Sequence, residues 1–244
     1  MIMVSGEGVT DFGCLNELGP MLALLMRMLT EWLGYDPTLA AVCFVSKAEL
    51  EEEQGLLKPL KPTKSLRLPG VKTGKETAFY HDNARALGQL ARAQQDKDNA
   101  PCLAFLFRDA DGTHSADRQH WQHKWDSILS GFAAANHAYG VPMLPKPKSE
   151  AWLLCALSNG YQGCGALEGI SGNDDSPHAA KKRLAAALGV TPNRQVLCDL
   201  CDPSMKANAV DPFRIDMPSF NAFKACLKGV LKKAYGPSKG VMWA

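Results

Sequence analysis

The sequence predicts an α/β protein with an open, mostly parallel sheet, helices on both faces and a mainly helical C-terminal region. Two observations support this prediction. Apolar runs alternate with segments of helical periodicity up to about residue 160. The most apolar run, Cys102–Phe107, has no polar position, which is typical of a strand buried on both faces of a parallel sheet. In such sheets, ligands bind beyond the carboxyl ends of the strands.

The individual elements follow in order along the chain. Ile2–Ser5 is a short apolar strand that runs into Gly6-Glu7-Gly8, and the leucine spacing after it predicts a helix from about Phe12 to Leu33. The segment Gly55–Gly74 is rich in Pro, Gly and Lys and is predicted to be a loop. The remaining predictions are a strand at Ala40–Val45, a helix at about Glu76–Ala93, a strand at Cys102–Phe107, a helix at about Ala116–Tyr139, a strand at Val141–Leu144 and a helix beginning with Ala151–Leu157.

Length and composition limit the class of protein. The 244 residues are enough for a sizeable core, and 46% hydrophobic with 21% charged residues excludes disordered and fibrous chains. The strand and helix alternation stops near residue 160, so we expect an α/β domain over residues 1–160 and a basic, mainly helical extension over residues 161–244. No apolar run reaches the roughly 20 residues that a bilayer crossing needs, and the first residues do not resemble a secretory signal. A cytoplasmic protein that does not enter the membrane is expected.

The charges are unevenly distributed around a net charge of +2. Six basic residues and no acidic ones lie between Lys58 and Lys75, and residues 181–244 carry 11 basic against 4 acidic residues. Residues 1–180 have the opposite balance, 16 basic against 21 acidic. This distribution fits a protein that contacts phosphates with one part and holds metal ions with another, although solvated surface lysines would give it too. The residues predicted to contact nucleic acid are Lys61, Lys64, Arg67, Lys72, Lys75 and Arg108.

The eight cysteines are spread over a long chain, so reduced thiols are expected rather than a disulfide framework. Cys198 and Cys201 form a C-x-x-C pair. A zinc site would have to recruit Cys226 and His178 from a distance, and the alternative is a pair of partly buried thiols.

Acidic residues follow three of the predicted strands. Glu7 and Asp11 come after the first strand, Asp109 and Asp111 after the most apolar one, and Glu150 after the last. Because the carboxyl ends of parallel strands lie at one edge of a sheet, these carboxylates are expected to converge. Clustered carboxylates usually hold a hard cation such as Mg²⁺ or Mn²⁺. Taken singly, each residue could instead serve a helix start, with Asp11 as a cap and Glu150 in a first turn.

These motifs resemble a known family. Val4–Asp11 (VSGEGVTD) and Leu106–Gly112 (LFRDADG) look like the two acidic motifs of the Toprim fold, the metal-binding catalytic module of topoisomerases, primases and several nucleases. Pro145–Leu154, which contains Glu-Ala-Trp-Leu, is similar to a third acidic motif of small stand-alone Toprim-like proteins related to anti-phage defence and to OLD-type nucleases. The resemblance covers roughly residues 1 to 160.

The resemblance implies a function and a site. It implies that Glu7, Asp109 and Asp111 are the catalytic, metal-binding set, with Asp11 and Glu150 as supporting ligands of Mg²⁺ or Mn²⁺. A chain of this length has no room for the further domains of a topoisomerase or primase. A metal-dependent nuclease that hydrolyses phosphodiester bonds of DNA or RNA is therefore expected, acting as an effector in bacterial anti-phage defence under the control of a partner ATPase.

Two other functions remain open at this point. Asp109–Thr113 (DADGT) also matches the nucleophile loop of haloacid-dehalogenase-like phosphatases, in which the first Asp is phosphorylated and the second is the acid/base. Lys146 or Lys148 with Asp174-Asp175 would then supply the later motifs. Against this, a full strand-helix-strand unit precedes the loop, and His114 stands where that family has an apolar residue. The other alternative is a non-catalytic nucleic-acid-binding or partner subunit.

Overall fold

Four parallel strands form the central sheet of the computed structural model, in the order β4-β1-β5-β6. These strands are β1 (Ile2–Ser5), β4 (Val42–Phe44), β5 (Leu103–Phe107) and β6 (Gly140–Met143). A separate antiparallel pair is formed by β2 (Gly13–Cys14) and β3 (Glu17–Leu18). The structure describes residues 1–6, 11–14, 17–37, 41–57, 74–110, 118–157, 160–202 and 209–236.

Helices connect the strands and cover the sheet. In the described residues these are α1 (Pro20–Leu33), α2 (Lys47–Leu57), α3 (Gly74–Asp98), α4 (Arg118–Ala134), α5 (Ser149–Leu157), α6 (Ala180–Leu188), α7 (Arg194–Cys201) and α8 (Pro218–Tyr235). The α3 helix packs on β1 and β5, and α4 packs on β6 and on α3. The connection from β1 to β4 runs one way across the sheet, and the connections from β4 to β5 and from β5 to β6 run the other way. Because such crossovers are right-handed, α1 lies on the face opposite to α3 and α4. None of the helices in the described part of the chain has the length and apolar character that a membrane crossing requires.

The predicted fold class is confirmed most clearly at β5. All five of its residues are fully buried. Because successive side chains of a strand point to opposite faces, both faces of the sheet must be covered. The carboxyl ends of β1, β5 and β6 therefore meet at one edge, between layers of helices.

The predicted first helix, from about Phe12 to Leu33, begins too early. The helix starts at Pro20, and the residues before it form the small β2–β3 hairpin. Gly13 has φ +93°, and Gly19 approaches the backbone of Asp11 so closely that a Cβ would lie 2.2 Å from its carbonyl oxygen. That oxygen accepts a hydrogen bond from the N–H of Met21, at 3.0 Å. Asp11 therefore serves the helix start with its backbone, and the alternative of a side-chain cap is wrong.

Other boundaries also differ from the sequence prediction. The α2 helix, which was not predicted, continues through Gly55 to Leu57, so the predicted loop begins later; residues 58–73 lie outside the described residues. The α4 helix ends at Ala134 rather than near Tyr139, because the chain turns at Asn136, which has φ +51°. Asn is one of the residues that best tolerate this left-handed conformation.

The helical C-terminal region packs onto the sheet domain. An apolar stripe lies on α8, and its Phe220 and Phe223 are fully buried against Trp152 of α5, with ring centroids 4.8 and 5.9 Å from the Trp152 ring. Trp152 also donates a hydrogen bond to the Oγ of Ser219, at 2.9 Å. Arg194 of α7 binds Glu17 in β3 at 2.6 Å.

The expectation of reduced cysteines is wrong for one pair. Cys155 near the end of α5 is joined by a disulfide to Cys164, the first residue of a 3-10 helix that runs to Gly169. The Cα atoms of the pair lie 5.1 Å apart, within the range that a disulfide spans without moving the backbone. The sequence does not show this proximity, because a loop separates the two residues. Free thiols are found at Cys43, Cys102, Cys198, Cys201 and Cys226.

Candidate active site at the carboxyl ends of the strands

Two of the predicted acidic residues meet at Ser149. The backbone N–H of Ser149 donates to Asp109 Oδ1 at 3.0 Å, and its hydroxyl donates to Asp11 Oδ1 at 3.3 Å. Asp109 follows β5, and Asp11 lies between β1 and α1. One serine at the start of α5 therefore holds carboxylates that follow two neighbouring strands, as the convergence of strand ends predicts.

Glu150 is the third predicted acidic residue at this edge. It acts on Asp11 through charge repulsion, which adds to burial in raising the pKa of Asp11 from 3.8 to about 6. The Ser149 hydroxyl and the positive charge of Lys148 lower this pKa, but their effects are smaller. Partly buried carboxylates that repel one another are the arrangement that a bound cation relieves.

Buried basic residues lie near the carboxyl ends of the same strands. Arg108 is 2% exposed, and its guanidinium donates to the carbonyl oxygens of Ser5 and Phe107, at 3.4 and 2.7 Å. It therefore binds the ends of β1 and β5, although the sequence predicts it as a nucleic-acid contact. Lys124 of α4 is fully buried, with its Nζ 3.5 Å from the carbonyl oxygen of Ala110. Lys146, after β6, is also buried.

Three further contacts involve residues at or next to the site. The hydroxyl of Tyr80, on α3, donates to the carbonyl oxygen of Asp109 at 3.2 Å, and the Nζ of Lys124 lies 5.3 Å from the Tyr80 ring centroid. Lys148 forms an ion pair with Asp174 at 3.0 Å, which connects the start of α5 to the C-terminal region. Asp109 is therefore held by its backbone as well as by its carboxylate.

Several predicted site residues lie outside the described residues. Glu7 and Asp111 are among them, as are the predicted nucleic-acid contacts Lys61, Lys64, Arg67 and Lys72, whereas Lys75 lies in the first turn of α3. In the described part of the chain, no three His, Cys, Asp or Glu residues form a group that could hold a metal ion. Asp11, Asp109 and Glu150 are described, and these three predicted ligands do not by themselves form such a group.

One buried atom at this edge has an unmet hydrogen-bonding capacity. Ser5 is 1% exposed, and its Oγ has no hydrogen-bond partner within the ranges that the structure describes. Ser5 is the last residue of β1, and the Arg108 guanidinium contacts its carbonyl oxygen. Buried polar oxygens are nearly always satisfied, so this one is suited to a bound group or a water.

Sequence reasoning missed three residues of the site. Ser149, Tyr80 and Lys124 contact it from α5, α3 and α4, and each lies 14 or more residues from its partner in the chain. One local feature of the sequence could have indicated Ser149, namely its position next to Glu150 at the start of a helix. No pattern in the sequence marks Tyr80 or Lys124, since a buried lysine looks the same as an exposed one until its helix is packed.

The cysteine pair of α7 lies apart from this site. The Sγ of Cys198 donates to the carbonyl oxygen of Leu18 in β3, at 3.2 Å. Burial raises the pKa of the Cys201 thiol to about 12. Within the described ranges, neither belongs to a group of three Cys, His, Asp or Glu residues that could hold a metal ion.

Comparisons of the chain with models of protein families, with curated proteins and with solved structures found no match. The fold and the site together define an α/β protein with carboxylates gathered at the ends of neighbouring parallel strands. Support for a function therefore comes from the geometry of these side chains.

The serine that joins the two carboxylates provides a test of their positioning. We expect Ser149→Ala to raise the pKa of Asp11 above about 6, because the hydroxyl that favours the charged carboxylate is lost. The backbone bond to Asp109 remains, so any metal-dependent activity should fall by only about tenfold. NMR titration of the Asp11 carboxyl carbon in EDTA would measure the pKa. Ser149→Thr should restore it, and an unchanged pKa in Ser149→Ala would contradict the assigned hydrogen bond.

Proposed function

We propose that this protein is a metal-dependent nuclease, which hydrolyses phosphodiester bonds of nucleic acid in the cytoplasm with Mg²⁺ or Mn²⁺ as cofactor. The observation that supports the proposal best is the pair of hydrogen bonds by which Ser149 holds Asp11 and Asp109 together. These carboxylates follow neighbouring strands, at the edge where α/β proteins bind ligands. The Toprim-like motifs in the sequence point to the same edge.

The cation would be held by Asp109 and Asp11, with Glu150 in support and with Glu7 and Asp111 completing the set. The repulsion between Glu150 and Asp11, and the unsatisfied Ser5 Oγ, are the features of the structure that fit a cation there. When bound, Mg²⁺ supplies a Lewis acid that activates water and stabilises negative charge on the leaving oxygen.

The protein's own side chains have three tasks in this proposal. Ser149 orients two carboxylates, and Tyr80 fixes the backbone of Asp109. The buried charges of Arg108 and Lys124 offset the negative charge of the carboxylates and of an approaching phosphate. The basic residues between Lys58 and Lys75 would contact the nucleic-acid backbone and make binding depend on salt. We also propose, from the family resemblance, a role in anti-phage defence with a partner ATPase.

Cleavage of labelled single-stranded DNA, duplex DNA and tRNA would test the proposal. Each substrate is incubated with purified protein in Mg²⁺, in Mn²⁺ and in EDTA. We expect cleavage with either cation and none in EDTA. Cleavage that is equally fast in EDTA would contradict the metal-dependent mechanism, and absence of cleavage together with tight nucleic-acid binding would favour a non-catalytic subunit.

A phosphatase of the haloacid-dehalogenase type is the second candidate, and the ion pair of Lys148 with Asp174 favours it. Lys148 and Asp174 are among the residues that could supply the later motifs of that family, and Lys148 directly precedes Ser149, whose N–H binds Asp109. In this case Asp109 would attack the phosphorus of a monoester, the ester P–O bond would break and the alcohol would leave with a proton from the acid/base Asp111, and water would then hydrolyse the acyl phosphate to release inorganic phosphate. Hydrolysis of p-nitrophenyl phosphate without cleavage of nucleic acid would favour the phosphatase.

A further inference from the structure

A buried lysine lies next to the candidate active site and has no task in the mechanism described so far. Lys146 is 7% exposed and belongs to the loop that joins β6 to α5. The carbonyl oxygen of Pro145, just before it, accepts a hydrogen bond from the N–H of Ala110 at 3.0 Å. Ser149, just after the loop, donates to Asp109 Oδ1, also at 3.0 Å. The loop of Lys146 is therefore bonded on both sides to the residues that follow β5.

The neighbouring basic side chains have partners. Arg108 donates to two backbone carbonyl oxygens, and the Nζ of Lys124 lies 3.5 Å from a third. Lys148, two residues after Lys146, forms an ion pair with Asp174 at 3.0 Å. Lys146 differs from all three, because its ammonium has neither a hydrogen bond nor an ion pair with any group in the part of the chain that the structure describes.

An unpaired ammonium in this position indicates that a ligand supplies its partner. Taking a charge out of water is unfavourable unless an opposite charge or hydrogen-bond acceptors replace its hydration. Lysines are therefore almost never buried without a partner. Lys146 keeps its charge at the edge where α/β proteins bind their ligands. An anionic group of a ligand would provide the negative charge that the described residues do not.

The chemistry of the site indicates which anion this is. Both candidate functions act on a phosphate, whose non-bridging oxygens carry negative charge and accept strong hydrogen bonds from an ammonium. The carboxylates of Asp11 and Asp109 at the same edge repel such a group. A nearby positive charge that no protein group neutralises would offset this repulsion, and Lys146 provides one.

We propose that Lys146 is the phosphate-binding residue of this site, and that its ammonium binds a non-bridging oxygen of the phosphate that is hydrolysed. The inference rests on the proposed nuclease function for the kind of phosphate, which is then a phosphodiester of nucleic acid. Lys146 is not among the residues that the sequence predicts as nucleic-acid contacts, because a buried lysine has no distinguishing pattern in the sequence.

Binding of a single phosphodiester in EDTA, where metal-dependent cleavage cannot occur, would test the proposal. A thymidine dinucleotide is titrated into ¹⁵N-labelled protein at constant ionic strength, and affinity is read from the amide shifts of Ala110 and Ser149. Inorganic phosphate is the second probe, so that a diester and a free phosphate are compared directly. We expect Lys146→Met to weaken binding of the dinucleotide about ten- to a hundredfold.

Two further variants serve as controls. Lys146→Arg keeps the positive charge and should retain most of the affinity that Lys146→Met loses. Lys97→Met removes an exposed lysine in the last turn of α3 and should bind as the wild type does. It therefore controls for the loss of one unit of net charge.

Urea unfolding in buffer without phosphate or sulfate would show whether Lys146 is unpaired in the free protein. We expect Lys146→Met to unfold at a higher urea concentration than the wild type, because an apolar side chain of similar length replaces an unpaired buried charge. Added phosphate should then stabilise the wild type and Lys97→Met more than Lys146→Met. A lower urea midpoint for Lys146→Met would mean that the ammonium has a partner within the protein and would overturn the proposal.

The remaining outcomes separate this proposal from the nuclease function, which the cleavage assay tests independently. Equal affinity of the wild type and Lys146→Met for both probes, or no binding of either probe by the wild type, would overturn the role of Lys146 alone. Binding of inorganic phosphate but not of the dinucleotide, with loss of that binding in Lys146→Met, would support Lys146 as the phosphate-binding residue and contradict the nuclease function.

Discussion

Asp109→Asn is expected to lower metal-dependent cleavage by at least about a hundredfold. The substitution removes the negative charge and keeps the shape of the side chain. The amide oxygen of Asn can still accept the hydrogen bond from the Ser149 N–H, which is 3.0 Å from Asp109 Oδ1. The contact of Tyr80 is to the backbone carbonyl and does not depend on the side chain. Loss of activity in a folded variant would therefore be due to the loss of the negative charge.

A matched substitution on α4 provides the control. Asp126 accepts a hydrogen bond from Gln122 at 2.8 Å on the surface of the helix, and Asp126→Asn should leave cleavage unchanged. Initial rates of cleavage in Mg²⁺ and Mn²⁺ are compared for the wild type and both variants. A rate within twofold of the wild type for Asp109→Asn would show that this carboxylate takes no part in the chemistry.

Asp11→Asn is expected to stabilise the metal-free protein above pH 6 while it lowers metal-dependent activity. Burial and the charge of Glu150 raise the pKa of Asp11 from 3.8 to about 6. The folded state therefore binds a proton that the unfolded state releases, so the stability that Asp11 contributes is fully present below about pH 4 and is lost as the pH rises through about 6. At pH 8 the penalty removed by Asn would be up to about 3 kcal/mol. The amide oxygen can still accept from the Ser149 hydroxyl.

Urea unfolding of the two proteins in EDTA at pH 4, 6 and 8 would measure this effect. The free energy of unfolding of Asp11→Asn should exceed that of the wild type at pH 8, and the difference should shrink as the pH falls towards 4. The opposite sign at pH 8 would mean that the ionised carboxylate is stabilised in the fold. Active sites often lower the stability of a protein, because the arrangement of charges that activity requires is unfavourable in the folded state.

The sheet, and the position of three acidic residues at one of its edges, could be predicted from the order of apolar and polar residues. Burial of a strand or of a helix face requires apolar side chains at fixed spacing. The apolar run of β5 and the apolar residues Phe220 and Phe223 of α8 have that spacing, and they are buried. Asp11, Asp109 and Glu150 could be placed at one edge from the order of strands alone, since parallel strands end on the same side. The predicted metal and nuclease roles of these residues stay predictions.

The contacts that join these residues could not be predicted from the sequence, because they depend on how the chain packs. The β2–β3 hairpin replaced the first turns of the predicted helix, because the close approach of Gly19 to Asp11 depends on a path of the chain that helical periodicity does not report. The link from Ser149 to Asp11 spans 138 positions in the sequence, and the Cys155–Cys164 disulfide depends on how the chain returns after α5. Hydrophobic periodicity in the sequence indicates which side chains become buried. Hydrogen bonds and covalent links between distant residues form only when the packed helices bring particular atoms together.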